Sequence, residues 1–237
     1  MSPSLSIIVF AFDEEENVAA VLRELIGWLR ANEPDSEIVF VDDGSRDRTL
    51  EAAEAALADF PHRTARHAAN RGIGAALKTG VALARGSWVT FMPADGQIEP
   101  AAIGTLRAAA DDSTDLVLSV YDHRDDGLDR AILSAGVRAL ITVVHGVRLR
   151  SDGPYLIRRS LFVPSELAPD SFFLNFELPI RALAAGLRTR TVTIACRPRR
   201  AGVSKSTGLS RVAGVARDLI DLRRRRALRT ARLWLGR

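Results

Sequence analysis

The chain has 237 residues, enough for one large domain and too few for two, because single hydrophobic cores stop growing near about 250 residues. Its 47% hydrophobic and 26% charged residues exclude a disordered or low-complexity protein. One cysteine, Cys196, excludes a disulfide framework and a thiolate metal cluster. No basic segment opens the chain and no apolar run approaches the roughly 20 residues of a membrane-spanning helix, so we expect neither a signal peptide nor a transmembrane segment.

The net charge of +4 is unevenly distributed along the chain. Residues 197–237 hold 13 Lys and Arg against two acids, which gives them +11 and leaves −7 for residues 1–196. Such a tail suits an anionic surface, and charge alone does not distinguish nucleic acid from phospholipid headgroups. The acidic body would repel a nucleic-acid backbone. We therefore expect no nucleic-acid partner and a cytoplasmic protein, peripheral on the inner face of a membrane.

Hydrophobic patterning predicts alternating strands and helices. Residues 5–12 form a continuous apolar run, typical of a strand buried on both faces of a parallel sheet. Further strands are predicted at 37–41, 88–92, 115–121 and 189–197, and helices at 17–29, 48–57, 74–84, 100–110, 130–144, within 173–185 and from 212 onwards. This order predicts an α/β protein with a doubly wound sheet, whose ligands bind beyond the carboxyl ends of the strands.

Polar side chains follow three of the predicted strands, at residues 12–14, 42–45 and 93–97. A doubly wound sheet would bring these three clusters into one crevice. Asp95 and Gln97 place two oxygen ligands at positions i and i+2 of a turn, where they can bind Mg²⁺ or Mn²⁺ that also holds phosphate oxygens. Each cluster alone also fits an ordinary acidic turn. Three clusters at three strand ends favour a functional site.

Four stretches resemble the signature blocks of glycosyltransferase family 2, in particular its dolichyl-phosphate mannose synthase-like branch. They are SIIVFAFDEEENV (6–18), IVFVDDGSRDRT (38–49), NRGIGAALKTGVALARGSWVTFMPADGQIEP (70–100) and RRAGVSKST (199–207). The resemblance is dense over residues 5–110 and returns near 177–207. It implies a GT-A fold with a mixed sheet, a nucleotide-sugar donor, a divalent metal (Mg²⁺ or Mn²⁺) and inversion at the anomeric carbon.

The same resemblance implies roles for individual residues. Contacts to the nucleotide sugar are implied for Ala11, Phe12, Glu14, Asp42, Asp43, Arg71, Gly72 and Asp95. Asp95 and Gln97 match the metal site, and Asp95, Arg199 and Lys205 match residues that act on the donor phosphates during transfer. Pro93 replaces the first acid of the family's Asp-x-Asp pattern. A proline supplies no side-chain ligand, so metal binding would rest on Asp95, Gln97 and the donor diphosphate.

The second half of the chain would supply the acceptor side. The candidates are Arg124, Asp152, Glu177, Arg181 and Ser204. Arg158 is a further candidate beside Asp152. Glu177 and Arg181 lie four residues apart on one predicted helix and match a family helix near the acceptor channel. The same spacing also fits a surface ion pair, which contributes only about 0.3 to 0.5 kcal/mol.

These expectations combine into an inverting, metal-dependent glycosyltransferase that moves a sugar to a polyprenyl phosphate. Residues 1–210 would form its GT-A domain, with a nucleotide-sugar-binding half at 1–121 and an acceptor-side half at 122–210. Residues 211–237 would form a basic amphipathic helix. The apolar face of this helix is predicted at Val212, Val215, Leu219 and Leu222. It would lie on an anionic membrane, or else pack against the catalytic domain.

Three other functions remain open at this point. One is the same fold acting on a soluble small molecule, which the weak match around residues 152–159 leaves open. A non-enzymatic nucleic-acid binder would use the basic tail, but it would leave the acidic strand ends without a role. A nucleotidyltransferase would want a Gly-rich loop after the first strand, where this chain has Asp13 and Glu14. The sequence does not indicate the sugar, the nucleotide base or the oligomeric state.

Overall fold

A computed structural model describes residues 3–122, 127–167, 170, 173–198 and 217–225. The strands are β1 (Leu5–Ala11), β2 (Ser36–Asp42), β3 (His62–Arg66), β4 (Trp88–Pro93), β5 (Leu116–Tyr121), β6 (Leu156–Arg158) and β7 (Thr189–Ile194). The helices are α1 (Val18–Asn32), α2 (Thr49–Leu57), α3 (Ile73–Leu83), α4 (Pro100–Ala108), α5 (Gly127–His145) and α6 (Leu174–Ala184). Two short 3₁₀ turns cover Arg159–Leu161 and Pro164–Glu166, and residues 217–225 are helical.

The strands form one seven-stranded mixed sheet in the order β3-β2-β1-β4-β6-β5-β7. All neighbouring pairs run parallel except those that involve β6, which is antiparallel to both β4 and β5. Ala11 pairs with Asp42, and Phe10 pairs with Pro93. The carboxyl ends of β1, β2 and β4 therefore lie level with one another, side by side in the sheet.

Helices cover both faces of the sheet. Side chains along the central strands alternate between the two faces and so contribute to a hydrophobic core on each. Ile7 and Val9 pack with α1, α2 and α4, whereas Ile8 packs on the opposite face with α3, α5 and α6. Ile38 and Val39 of β2 divide between the faces in the same way. A strand buried on both sides requires an apolar residue at every position, which explains the continuous apolar run of β1.

Every strand and helix predicted from the sequence forms within the described residues, with ends shifted by a few residues, and the expected GT-A architecture is present. Two strands were not predicted. β3 has the sequence HRTAR, is partly exposed, and lies at the edge of the sheet. β6 has only three residues. The predicted strand 189–197 ends earlier, at Ile194.

The described part of the basic tail is helical, as predicted, but its apolar face is turned toward the protein. Leu219 and Leu222 are fully buried in the core shared by α3, α5 and α6. His145 Nε2 at the end of α5 lies 3.1 Å from the carbonyl oxygen of Leu219. The prediction that this face lies on a membrane is therefore wrong for these two leucines, and the alternative of packing on the domain holds. Residues 211–216 and 226–237 lie outside the described residues.

Candidate active site

The three polar clusters meet at the carboxyl edge of the sheet, as predicted. Beyond β2, the Asp43 N–H donates to the carbonyl of Ala11 at 2.8 Å. Beyond β4, the Ala94 N–H donates to the carbonyl of Phe10 at 3.0 Å. The loops after β2 and β4 therefore continue the sheet hydrogen bonding on both sides of the end of β1, which fixes the three loops relative to one another.

The loops after β1 and β2 are joined by reciprocal hydrogen bonds. The Asp13 N–H donates to Ser45 Oγ at 2.9 Å, and the Arg46 N–H donates back to Asp13 Oδ1 at 2.8 Å. Asp13 has φ of 51°, in the left-handed region that aspartate tolerates better than most residues. The Glu14 N–H donates to Thr49 Oγ1 at 2.8 Å, so the start of α2 also holds this loop.

Asp42 is fully buried at the end of β2. Its Oδ1 accepts the Ser45 N–H at 3.0 Å, and Arg66 Nε lies 3.1 Å from its Oδ2. Oδ1 thus holds the turn that follows β2, and Oδ2 pairs with Arg66 at the end of β3. The direct nucleotide contact expected at Asp42 is not available to a carboxylate without exposed surface, and its contribution is to shape the loop.

Asp43 organises the loop that leads into α3. Its Oδ1 accepts the Arg71 N–H at 3.0 Å, and its Oδ2 accepts the Gly72 N–H at 2.8 Å. His67 Nδ1 lies 2.7 Å from Oδ1. Gly72 has φ of 93°, a conformation that favours glycine, so the chain turns sharply into the helix here. The structure thus brings three predicted site residues, Asp43, Arg71 and Gly72, into one hydrogen-bonded unit.

Gly44 allows the loop after β2 to approach this unit closely. A Cβ atom at Gly44 would lie 2.4 Å from the carbonyl carbon of Ala69, and its φ is 79°. Both the backbone conformation and the contact with Ala69 require the absence of a side chain. The sequence Asp-Asp-Gly-Ser therefore has a structural reason at each of its last three positions.

The turn after β4 presents Asp95 and Gln97. The Gln97 N–H donates to Asp95 Oδ1 at 3.1 Å, and Gly96 between them has φ of 77°. Asp95 is 9% exposed, so its carboxylate is largely enclosed by the crevice. Among the described residues, no three His, Cys, Asp or Glu side chains are placed so that they could hold a metal ion together. The carboxylate of Asp95 and the side-chain amide oxygen of Gln97 are ligand types that suit a hard divalent cation, whose remaining ligands would be phosphate and water.

Arg197 connects the segment after β7 to this turn. Its N–H donates to the carbonyl of Gln97 at 2.8 Å. Its guanidinium binds Glu24 on α1 at 2.7 Å and also binds Glu99 at the start of α4. The hydrogen bond to Glu99, and next in size the hydrogen bond to Glu24, raise the pKa of Arg197 above its ordinary value. Arg197 was not predicted from the sequence as a site residue, although it lies only two residues before Arg199.

Those predicted acceptor-side residues that the structure describes do not form one group. Asp152 lies near the carboxyl edge, where its N–H donates to the carbonyl of Ser119 at 2.9 Å and its carboxylate binds Arg138 at 3.2 Å. Arg158 lies at the opposite edge, where it stacks over Trp88, so its expected role at the acceptor is wrong. Arg124, Arg199, Ser204 and Lys205 lie outside the described residues.

Glu177 and Arg181 on α6 form a partly buried pair rather than a surface one, because the side chain of Arg181 is 25% exposed and that of Glu177 is fully buried. Glu177 is fully buried, and its Oε1 accepts from Arg181 Nε at 2.8 Å. Arg225 of the C-terminal helical segment lies 3.9 Å from the other carboxylate oxygen, Oε2. The surface-pair alternative is therefore wrong. Removing one partner of a buried pair leaves an uncompensated charge, which gives this pair a structural weight that a surface pair lacks.

Comparisons with known proteins agree with this architecture. A family model described as glycosyl transferase family 2 matches residues 6–170. The undecaprenyl-phosphate 4-deoxy-4-formamido-L-arabinose transferase of Pseudomonas fluorescens (strain Pf0-1) is 30% identical over 91% of this chain and 64% of its own length. The dolichol-phosphate mannosyltransferase of Mycosarcoma maydis is 31% identical over 59% of this chain and 51% of its own length.

Among solved structures, the chain resembles glucosyl-3-phosphoglycerate synthase from Mycobacterium tuberculosis in complex with Mn²⁺, UDP-glucose and phosphoglyceric acid. The TM-score is 0.70 with 22% identity, over 93% of this chain and 78% of that one. The fold and the polar crevice define a glycosyltransferase domain of the GT-A class. The chain belongs to glycosyl transferase family 2, whose model matches more than half of it. It spans between about a third and two thirds of the length of the curated relatives it matches.

Proposed function

We propose that this protein is an inverting glycosyltransferase that moves a sugar from a nucleotide-diphosphate donor to a polyprenyl phosphate. The observation that carries the proposal is the set of hydrogen bonds that joins three loops at the carboxyl edge, those that carry Glu14, Asp43 and Asp95. The family membership supports the transfer of a sugar. The names of the two relatives, which specify undecaprenyl phosphate and dolichol phosphate, support the class of acceptor.

In this proposal the donor lies over the ends of β1 and β2. Ala11, Phe12 and Glu14 contact the base and ribose, and Arg71 contacts the diphosphate. Asp43 holds the backbone of Arg71 and Gly72 by two hydrogen bonds, at 3.0 and 2.8 Å, and so fixes the approach of this loop to the donor. Loops positioned in advance by the scaffold lower the ordering cost of binding.

Asp95 and Gln97 would hold a divalent cation, Mg²⁺ or Mn²⁺. When bound, the cation supplies positive charge that stabilises the departing nucleotide diphosphate. Asp95 is well suited to this position because its carboxylate is mostly enclosed, and a charge pair at low solvent exposure is screened less than one at the surface. The amide of Gln97 contributes a neutral oxygen, so the side chains bring one negative charge to the site.

The chemistry asks for no general base when the acceptor is a phosphate. A phosphate monoester is already an anion at pH 7. Its oxygen forms a bond to the anomeric carbon while the bond from that carbon to the donor diphosphate oxygen breaks, which inverts the configuration. Arg199 and Lys205 would stabilise the charge that develops on the leaving diphosphate. The Arg197 N–H donates to the carbonyl of Gln97 at 2.8 Å. This hydrogen bond supports the proposed role, because it holds the residues just before Arg199 at the turn after β4.

Membrane association in this proposal is electrostatic. Leu219 and Leu222 are buried in the core, whereas Arg223 and Arg224 of the same helical segment are exposed. Each cation near an anionic leaflet contributes on the order of 1 kcal/mol. No helix within the described ranges combines the length and apolarity needed to cross a bilayer. We propose that the basic tail holds the enzyme at the inner, cytoplasmic face of a membrane, where a polyprenyl phosphate is embedded.

The proposal is tested by sugar transfer from a panel of nucleotide sugars, with Mg²⁺ or Mn²⁺, to three acceptors. These are a short polyprenyl phosphate, the corresponding polyprenol and a soluble phosphorylated acceptor such as phosphoglycerate. We expect transfer to the polyprenyl phosphate only, because the polyprenol needs a base and the soluble acceptor lacks the lipid. Transfer only to the soluble acceptor would favour the small-molecule alternative. No transfer from any donor would contradict the proposal.

A further inference from the structure

An ion cluster that the sequence did not indicate joins the two halves of the chain. Asp170 Oδ1 accepts a hydrogen bond from Lys78 Nζ at 2.9 Å, and Arg71 Nη2 lies 3.4 Å from Asp170 Oδ2. The carbonyl of Asp170 also accepts the Ala75 N–H in the first turn of α3, at 3.1 Å. Arg71 is the residue that we assign to the donor diphosphate, so Asp170 lies beside the proposed donor site.

Two cations, Lys78 and Arg71, contact the carboxylate of Asp170. The hydrogen bond from Lys78 is the largest cause that lowers the pKa of Asp170, and the carboxylate is ionised at neutral pH. The side chains of Asp170 and Arg71 are 45% and 56% exposed, whereas that of Lys78 is 18% exposed. The contact between Asp170 and Arg71 is thus accessible to a ligand from solvent, whereas the contact between Asp170 and Lys78 lies deeper in the protein.

Asp170 has two opposing effects on an anionic ligand at Arg71. It restrains the Arg71 side chain, and such exposed ion pairs change a binding constant by about twofold. It also places a negative charge near the ligand. In water of low ionic strength, where screening is weak, a unit charge within about 10 Å of a doubly charged phosphate opposes binding by about fourfold or more. The repulsion therefore exceeds the benefit of restraint at low salt.

We propose that Asp170 is an internal counter-ion of the donor-phosphate site, and that the phosphates of a nucleotide diphosphate take over part of its contact with Arg71. The inference rests on the proposed function, because Arg71 contacts the donor there. The carboxylate returns to Arg71 when the nucleotide diphosphate leaves. Asp170 thereby weakens the binding of the nucleotide-diphosphate product and speeds its release.

The test is calorimetric titration of Asp170→Asn and wild type at low ionic strength. The probes are uridine, UMP and UDP, and the corresponding guanosine series, because the base is not known. We expect Asp170→Asn to bind the recognised diphosphate about three- to fivefold more tightly than wild type. The gain should be smaller for the monophosphate, absent for the nucleoside, and much reduced at high salt. A general structural effect of the substitution would not follow the number of phosphates.

Three further variants serve as controls. Asp170→Glu keeps the charge and should bind the diphosphate as wild type does. Lys78→Met removes a cation and should weaken diphosphate binding, the opposite direction to Asp170→Asn. Asp111→Asn breaks a comparably exposed pair with Arg190, ahead of β5 at the opposite edge of the sheet, and should leave binding unchanged. The thermal unfolding midpoint of each variant establishes that it is folded.

The outcomes separate this inference from the proposed function. Unchanged or weaker diphosphate binding by folded Asp170→Asn, with wild type binding normally, would overturn the counter-ion role alone. An equal gain for the nucleoside and the diphosphate would also overturn it, because the effect would then not come from phosphate charge. Failure of wild type to bind any nucleotide diphosphate would contradict the donor assignment and this inference together.

Discussion

Pro93 limits the number of carboxylates that the turn after β4 can supply to the proposed cation. It ends β4 beside Asp95 and pairs with Phe10 of β1. Because a proline side chain carries no ligand atom, we expect Mg²⁺ and Mn²⁺ to bind the free enzyme weakly and to bind more tightly once a nucleotide diphosphate supplies oxygens.

The prediction is that Pro93→Asp raises the affinity of the nucleotide-free enzyme for Mn²⁺ by about tenfold, because it adds a carboxylate to the coordination shell. Electron paramagnetic resonance of free Mn²⁺ during a titration measures this affinity. Gln97→Leu in the same background removes the neighbouring oxygen and should reverse part of the gain. Equal Mn²⁺ affinity of wild type and Pro93→Asp would show that the turn after β4 does not hold the cation.

Gly44 tests the packing of the loop that positions Asp43. Gly44→Ala should lower the free energy of unfolding by about 2 kcal/mol or more, because the new Cβ meets the Ala69 backbone and φ is positive. Gly27→Ala is the matched control. It lies in the middle of α1 with no atom within 4 Å of its added Cβ, and it should raise stability by about 0.5 to 1 kcal/mol. Urea unfolding measures both, and equal effects would contradict the account of Gly44.

The sequence predicted which residue types gather at the strand ends, but it did not predict their orientation. Asp42 and Asp43 are adjacent and chemically identical, yet one serves the turn and the other holds the start of α3. Alternation along the strand makes neighbouring side chains point in opposite directions. Which of the two side chains faces the crevice depends on how β2 is aligned with β1 in the sheet, and this alignment is set by tertiary structure. Asp170 lies beyond prediction for the same reason, because its partner Lys78 is 92 residues away.

At the scale of secondary structure, hydrophobic periodicity located the central strands and failed at two others. β1, β2 and β4 are buried on both faces, so their apolar runs are unmistakable. β3 pairs only with β2 at the edge, and its HRTAR sequence carries no apolar pattern. β6 is too short to show a period. Such strands form because a neighbouring strand offers hydrogen bonds, and a single sequence does not display that partner.

In the C-terminal helical segment, residues 217–225, the leucines are buried and most of the arginines are exposed, so that packing and charge can be tested by separate substitutions. Leu219→Ala should cost about 2 to 5 kcal/mol of stability, because this fully buried side chain contributes to the core beneath α5 and α6. Arg224→Gln should change stability by no more than about 0.5 kcal/mol, because Arg224 is exposed. It should weaken binding to anionic vesicles several-fold, corresponding to about 1 kcal/mol.

Vesicle sedimentation at rising salt measures the second effect, and thermal unfolding measures the first. Binding of wild type to anionic vesicles should fall steeply with salt. Salt-independent binding, or vesicle binding unaffected by Arg224→Gln, would show that the exposed arginines of this segment do not contact the membrane.

At the scale of the whole molecule, an ion pair joins the starts of two neighbouring strands, β5 and β7, that are far apart in the sequence. Asp115 at the start of β5 accepts from the Arg188 guanidinium at 2.8 Å and from the Arg188 N–H at 3.0 Å, just before β7. The hydrogen bonds from the Arg188 guanidinium, which have the largest effect, and from the Arg188 N–H lower the pKa of Asp115 to about 2. A carboxyl whose folded pKa lies below its unfolded value of about 3.9 contributes stability that is complete above that value.

We therefore expect the free energy of unfolding to fall as pH decreases from about 4 to about 2, because over this range the carboxyl of Asp115 is protonated in the unfolded state but still ionised in the folded state. Arg188→Gln should flatten this acid limb, because it removes the partner that separates the folded and unfolded pKa values. Urea unfolding at pH 5 and pH 2.5 measures the difference. An equally steep loss in Arg188→Gln and wild type would assign the acid sensitivity to other carboxyls.

The central claim is that the crevice at the carboxyl edge performs sugar transfer with Asp95 at its centre. The most direct measurement is the kcat for transfer from the nucleotide sugar to polyprenyl phosphate, compared between wild type, Asp95→Ala and the control Asp111→Asn, each shown to be folded. The account predicts that Asp95→Ala loses transfer while Asp111→Asn retains it. A kcat for Asp95→Ala above about a tenth of wild type, a barrier change below roughly 1.4 kcal/mol, would contradict it.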